Sequence, residues 1–330
     1  MKTVTTVEAR GGKAAPVGRL RALADYRFLA LLTTVAVYGL IVLGGTVRST
    51  GSGTACPDWP LCHGQVVPPF ETKVMIEYSH RVVASIVGFL ILGTVIWGWR
   101  RHRQNRFITR GGTAIVGLLA GQVILGGVTV ETETAASVVA LHLSIALTLF
   151  TLLITTAVAA FVLESGKGIP VLAGVGGLAR RIGPLPLATM ACTFALIIVG
   201  AFVSQMGAGL AYPDWPLFDG KLVSAGGKLA DIHYAHRLVA AVTSLLVVAW
   251  AWQVLERDRR PAVAGTMAVL GVLFVSQVVI GAANVWLELA TSVRILHLAL
   301  ASAVWGVLVF AVAYRLLIPD ETTGAISQNA

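Results

Sequence analysis

The sequence predicts an all-α polytopic membrane protein, with eight transmembrane helices arranged as two parallel-oriented four-helix-bundle repeats. Three observations predict it. Charged residues make up 12% of the 330 positions and the mean hydropathy is +0.80, whereas a soluble domain carries about 25% charged residues. Eight apolar runs of about 18 residues or more punctuate the chain. Blocks from its first half return in the second at a nearly fixed spacing.

In order, the runs are Phe28–Val47, Val82–Trp99, Thr113–Val130, Val138–Leu163, Leu185–Val203, Leu238–Leu255, Ala262–Val285 and Ile295–Leu317. Each is long enough to cross the hydrocarbon core as a helix, whose backbone bonds are internal. Glycines within them, such as Gly44, Gly88, Gly93 and Gly126, suit close helix–helix contact in lipid.

The net charge of +9 is sorted by loop, which reads as a topology signal and not as nucleic-acid binding. Lys2, Arg10, Lys13, Arg19, Arg21 and Arg27 precede the first run. Arg100, Arg101, Arg103, Arg106 and Arg110 follow the second, Lys167, Arg180 and Arg181 the fourth, and Arg257, Arg259 and Arg260 the sixth. The alternate loops carry only Arg48 and Lys73, then none, then Lys221 and Lys228, then Arg294. The basic side is cytoplasmic, so a plasma-membrane protein with both termini inside is expected. The first run is long and no A-x-A-like site ends it, so it reads as a retained helix and not a signal peptide.

The repeat is explicit. Cys56-Pro-Asp-Trp-Pro-Leu-Cys-His-Gly64 returns as Tyr212-Pro-Asp-Trp-Pro-Leu-Phe-Asp-Gly220, and Glu77-Tyr-Ser-His-Arg-Val-Val-Ala84 as His233-Tyr-Ala-His-Arg-Leu-Val-Ala240, both 156 residues apart. Gln122-Val-Ile-Leu-Gly126 matches Gln277-Val-Val-Ile-Gly281, and Leu141-His-Leu143 matches Leu296-His-Leu298, both at 155. An even number of spans per unit inserts both units the same way up, about a pseudo-twofold axis along the membrane normal. The units fall at 26–163 and 185–317. A linker at 164–184 joins them, and cytoplasmic tails lie at 1–25 and 318–330.

Of seven histidines, His80, His142, His236 and His297 fall at matched places, two per unit, near the outer ends of their helices. A lone histidine there is more often interfacial. Four at matched depth on facing helices point instead to axial ligation of haem iron. Arg81 and Arg237 directly follow two of them; each offers a planar fork to a propionate or anchors the helix at the interface. Gln122 and Gln277 face the pockets or bond between helices.

The units differ where chemistry would differ. Glu77 stands one turn before His80 on the same face, and its counterpart is His233. A carboxylate there serves as a base or stabilises developing positive charge; the alternative is simple pairing with a neighbouring base. Cys56 and Cys62 lie in the first outer loop, where an oxidising compartment allows a disulfide, structural or redox-active. Their counterparts are Tyr212 and Phe218. The spacing is not C-x-x-C-H, so His63 does not mark covalent haem attachment. Cys192 reads as core packing and His102 as a loop residue.

With these residues in hand, the chain resembles the haem A synthase family over about residues 26–317. The resemblance rests on Gly44-Gly-Thr-Val-Arg-Ser-Thr-Gly-Ser-Gly53, the Cys56–Gly64 loop, Glu77-x-x-His-Arg81, the two Leu-His-Leu blocks and His233-x-x-His-Arg237. It implies an enzyme that oxidises a methyl group of haem O to a formyl group by successive hydroxylations, giving haem A for terminal oxidases. It further implies that His80 and His142 hold the substrate haem O, that His236 and His297 hold a haem b cofactor, and that Glu77 is the catalytic carboxylate. Cys56 and Cys62 match the family's extracellular pair. An electron acceptor in the membrane is required, and haem O synthase and a second copy of the chain stand open as partners. The main rival is a non-catalytic or quinone-linked di-haem membrane cytochrome b, which gives Glu77 and the cysteines no task. A transporter fits less well, because its site would lie at the midplane.

Overall fold

A computed structural model describes residues 25–166, 169, 174–224, 226–258 and 260–318. The expectations for residues 1–24, Lys167, Arg259 and the tail from 319 onward lie outside the described residues. The chain runs through α1 (Tyr26–Ser49), α2 (Thr72–Arg101), α3 (Arg106–Glu131), α4 (Ala136–Glu164), a short α5 (Gly174–Ile182), α6 (Pro184–Gln205), α7 (Lys228–Arg257), α8 (Pro261–Trp286) and α9 (Thr291–Leu317). Every element except α5 is long and apolar enough to cross a membrane, giving the eight expected spans. The linker drawn at 164–184 therefore contains a helix that apolar-run counting does not reveal.

Local signals set the helix starts. The Asp25 side chain accepts the Arg27 N–H, and that of Asn105 accepts the N–H groups of Phe107 and Ile108, satisfying donors that a helix start leaves free. Pro184 and Pro261 open α6 and α8, where a missing N–H costs nothing. The helices overrun their apolar cores. Helix α2 begins at Thr72, well before the apolar run at Val82, and α7 begins at Lys228. His80 and His236 consequently lie deeper than their sequence position suggests, at the same distance along their helices, about 12 Å from the first residue at 1.5 Å per residue.

The core lies between the two units. In α4, 61% of the most apolar stretch is buried, against 39% in α9 and 11% in α3, so α4 is the central span. Trp305 of α9 donates its Nε1–H to Leu147 O (3.3 Å) and Thr151 Oγ1 (3.0 Å) of α4, and its repeat counterpart Phe150 packs on Gly306. Helix α1 joins α9 through the Tyr38 hydroxyl, which donates to Ala299 O at 3.2 Å. The outer faces are apolar and open: Phe89 and its counterpart Leu245 are 76% and 73% exposed, as expected of lipid-facing side chains. Gly93 and Gly126, expected at close helix contacts, have no atom near enough to touch an added Cβ, whereas Gly44 does.

His102 is not a free loop residue. It caps α2, lies tilted against Tyr26 with ring centroids 5.3 Å apart, and places Nε2 3.2 Å from Glu164 Oε1. Cys192 is a free thiol of intermediate burial in α6.

Candidate active site

Cys56 and Cys62 form a disulfide, and both are fully enclosed. Their loop folds back through Cys62-His63-Gly64-Gln65, with Cys62 and Gln65 bonded to each other. His63 and Gly64 both adopt positive φ (55° and 68°), the geometry of a tight mirror-type hairpin turn. Asp58 holds this turn by accepting the N–H groups of His63 (2.6 Å) and Gly64 (2.8 Å). The Gly64 N–H is the main cause of a carboxyl pKa below the ordinary value, with the His63 N–H and Arg81 adding to it.

The second unit builds the same loop from other means. Asp214 accepts the N–H groups of Asp219 and Gly220, both at positive φ, and Phe218 bonds Lys221. In place of the disulfide, Tyr212 and Phe218 meet edge to face at 5.0 Å. The second unit thus reaches the same loop conformation without cysteines.

Beneath the disulfide lies Glu77, 4% exposed. Its Oε2 accepts the Cys56 N–H at 2.9 Å and its Oε1 meets Arg81 Nη2 at 2.6 Å. Arg81 also donates to the carbonyls of Asp58, Leu61 and Cys56. The arginine that sequence offered to a propionate thus has its fork turned to the loop and to Glu77. Arg237 behaves alike, donating to Leu217 O, Tyr212 O and His233 Nε2. Cys56, Cys62, Glu77 and Arg81 form one cluster at the loop end of α2 beside His80, and in the second unit a histidine replaces the carboxylate.

The four matched histidines fall into two pairs, with His142 close enough to act electrostatically on His80 and His297 on His236. All four Nδ1 atoms are buried without a hydrogen-bond partner, an unusual cost for polar atoms in an apolar setting. Glycines flank three of the rings: a Cβ added at Gly44 would stand 3.2 Å from His80 Cε1, at Gly200 3.0 Å from His236 Cε1, and at Gly281 3.2 Å from His297 Cε1. Among the described residues no cluster of three or more His, Cys, Asp or Glu could hold a bare metal ion. Paired imidazoles instead suit an iron whose other ligands come from a macrocycle, so the residues present fit a haem.

The glutamines divide. Gln122 Nε2 donates to His142 O at 2.9 Å, a helix-to-helix bond, whereas Gln277 Nε2 stands 3.5 Å from His297 Nε2. Each leaves a buried Oε1 without a partner. Sequence reasoning did not single out Gly200 and Gly281 as ring neighbours. The signal was available, since Gly44 and Gly200 share the 156-residue register and Gly126 and Gly281 the 155-residue register.

The chain matches the family model COX15-CtaA, described as a cytochrome oxidase assembly protein, over residues 27–73 and 69–309. It is 31% identical over 310 residues to the heme A synthase of Symbiobacterium thermophilum, covering 90% of this chain and 97% of that protein. It is 29% identical over 285 residues to that of Alkalihalophilus pseudofirmus, covering 86% and 94%. With the heme A synthase of Geobacillus kaustophilus it shares 28% over 313 residues, covering 91% and 93%. A match running from the first span into the last, on a fold of eight spans with repeat-matched histidines, places this protein in the cytochrome oxidase assembly protein family COX15-CtaA.

Proposed function

We propose that this protein is a haem A synthase, a membrane oxidoreductase that converts the methyl group of haem O to a formyl group by successive hydroxylations. The observation that carries the mechanism is the asymmetry at matched positions: a buried carboxylate, Glu77, one turn from His80, where the other unit has His233. The unit at 26–163 is the reaction unit, with His80 and His142 holding the substrate, and the unit at 185–317 is the cofactor unit. His236 and His297 would hold a haem b, which when bound would supply one-electron redox capacity.

Each hydroxylation of the methyl carbon, with water as the oxygen donor, releases two electrons and two protons, and Glu77 takes one of those protons. Arg81 and the Cys56 N–H fix its two oxygens, so the carboxylate is oriented before substrate arrives. The Cys56–Cys62 disulfide acts through that N–H by holding the loop against Glu77. Electrons leave to a membrane acceptor. The basic helix ends, with Arg100, Arg101, Arg106 and Arg257, face the cytoplasm of the plasma membrane by the positive-inside rule, which puts the histidine ends outward. A di-haem electron carrier leaves Glu77 without a task and is not favoured.

Haem extraction from the purified protein tests this reading. Haem b together with haem O or haem A supports it; protein that carries no haem after expression with ample haem supply contradicts it.

A further inference from the structure

At the outer end of the boundary between the two units stand two arginines that the site described above does not use. Arg48, in the last turn of α1, donates from Nη2 to Ser204 O of α6 at 2.6 Å. Ser204 is the repeat counterpart of Arg48, 156 residues on, and a residue that touches its own counterpart lies at the pseudo-twofold axis. Arg294 of α9 donates from Nη1 to Ser49 O, the last residue of α1, at 3.1 Å. Arg294 thus bonds the residue that follows Arg48, which brings both arginines to the end of α1.

Helix C-termini attract cations, but only in part. Two such ends supply roughly one negative charge against two positive ones. Both arginines are partly buried, and among the described residues no carboxylate forms an ion pair with either. Arg48 Nε is buried with no hydrogen-bond partner. Two adjacent, partly desolvated cations and an unused donor call for an anion.

Their placement says which anion. Arg294 stands three residues before His297 on the same helix face. Arg48 is bonded to Ser204, one turn beyond Gly200, the glycine that abuts His236. Arg48 itself stands one turn beyond Gly44, the glycine that abuts His80, so it lies on the axis between the two pairs, and Arg294 sets the site on the side of the second pair. The arginines that follow the histidines, Arg81 and Arg237, are engaged by loop carbonyls. We propose that Arg48 and Arg294 form a carboxylate clamp on the pseudo-twofold axis, which binds the edge carboxylates of the tetrapyrrole held at His236 and His297. This inference rests on the haem-binding reading above. The positions related to Arg48 and Arg294 by the repeat are Ser204 and Val139, so the repeat builds no second pair, and Arg294 alone places the clamp on the cofactor side.

The test is exchange of purified full-length holoprotein against iron protoporphyrin IX dimethyl ester, whose carboxylates are masked. Wild type is expected to hold the free-acid haem over the diester by at least about tenfold, since charge-assisted bonds to carboxylate are strong. Arg48→Gln and Arg294→Gln should each bring that ratio toward parity, and Arg48→Lys, which keeps the charge but not the fork, should fall between. If one glutamine variant does not purify folded, the other and Arg48→Lys carry the same measurement. Equal weakening of both haem forms, with the ratio unchanged, would make the arginines a staple between units and overturn the clamp alone. Wild type that binds neither form overturns the haem-binding reading and the clamp with it.

Discussion

Glu77 and Arg81 form a 2.6 Å ion pair one helical turn apart, with side chains only 6% and 15% exposed. The same arginine grips three carbonyls of the disulfide loop, and the same glutamate accepts a loop N–H. Outer loop and histidine helix are thereby one rigid unit. In the other half Arg237 meets His233 at 3.1 Å instead, which preserves the brace with no carboxylate in it.

Glu77→Gln therefore separates brace from base. The amide still accepts the Cys56 N–H and fills the same space, while the charge is gone. Product formation should fall by at least about 100-fold, the lower range for losing a general base, with haem content unchanged. Turnover near wild type would remove Glu77 from the chemistry. Glu77→Ala is the harsher variant, because it strands Arg81 in an enclosed site at a cost of about 3 kcal/mol or more.

The second histidine pair is expected to hold the resident haem alone. His236→Ala or His297→Ala should deplete haem b in the purified protein, read from its absorption spectrum and from extracted haem. His142→Ala should leave that haem in place. An unchanged spectrum in His297→Ala would contradict the assignment of the pocket.

On the proposed reading the Cys56–Cys62 disulfide positions Glu77 and takes no part in the chemistry. Tyr212 and Phe218 build the matching loop without it, so Cys56→Ser with Cys62→Ser should retain the loop and the haem. Turnover should fall by about 3- to 10-fold as the Cys56 N–H loosens from Glu77, far less than in Glu77→Gln. The change should also cost about 2 kcal/mol of local stability, as for a short closed loop. A loss as deep as that of Glu77→Gln would make the sulfurs participants in the reaction.

Acid should open the outer turn. Asp58 has its pKa lowered by the N–H groups it accepts, that of Gly64 foremost. A depressed carboxylate stabilises the fold above its unfolded value, near 3.9, and that contribution fades as pH falls through the lower folded value. Amide hydrogen exchange at His63 and Gly64 should show protection constant above about pH 5 and declining below the ordinary carboxylate range. Asp58→Ala should abolish that pH dependence, and protection unaltered in Asp58→Ala would refute the role of the carboxylate.

The spans and the repeat were legible in the sequence because hydrocarbon demands long apolar helices and duplication keeps spacing. The turns of α2 and α7 that precede Glu77 and His233 were not. Lys73, Glu77 and Arg81 interrupt the apolar pattern, yet that stretch is helical and braced by the loop above it. The glycine-rich α5 escaped for a related reason, having no apolar run to announce it. The histidines could be found because their matched register survives in one dimension. The engagement of Arg81 could not, since a sequence does not say which way a guanidinium turns. Arg48 and Arg294 looked like stray charges in sparsely basic loops until packing set them beside one another.

The central claim is that this chain makes haem A. The most direct measurement is expression in cells that produce haem O but no haem A, followed by extraction and chromatography of total haem. The account predicts haem A with the wild-type chain and haem O alone with Glu77→Gln. Haem O alone with a correctly inserted, haem-loaded wild type would contradict it.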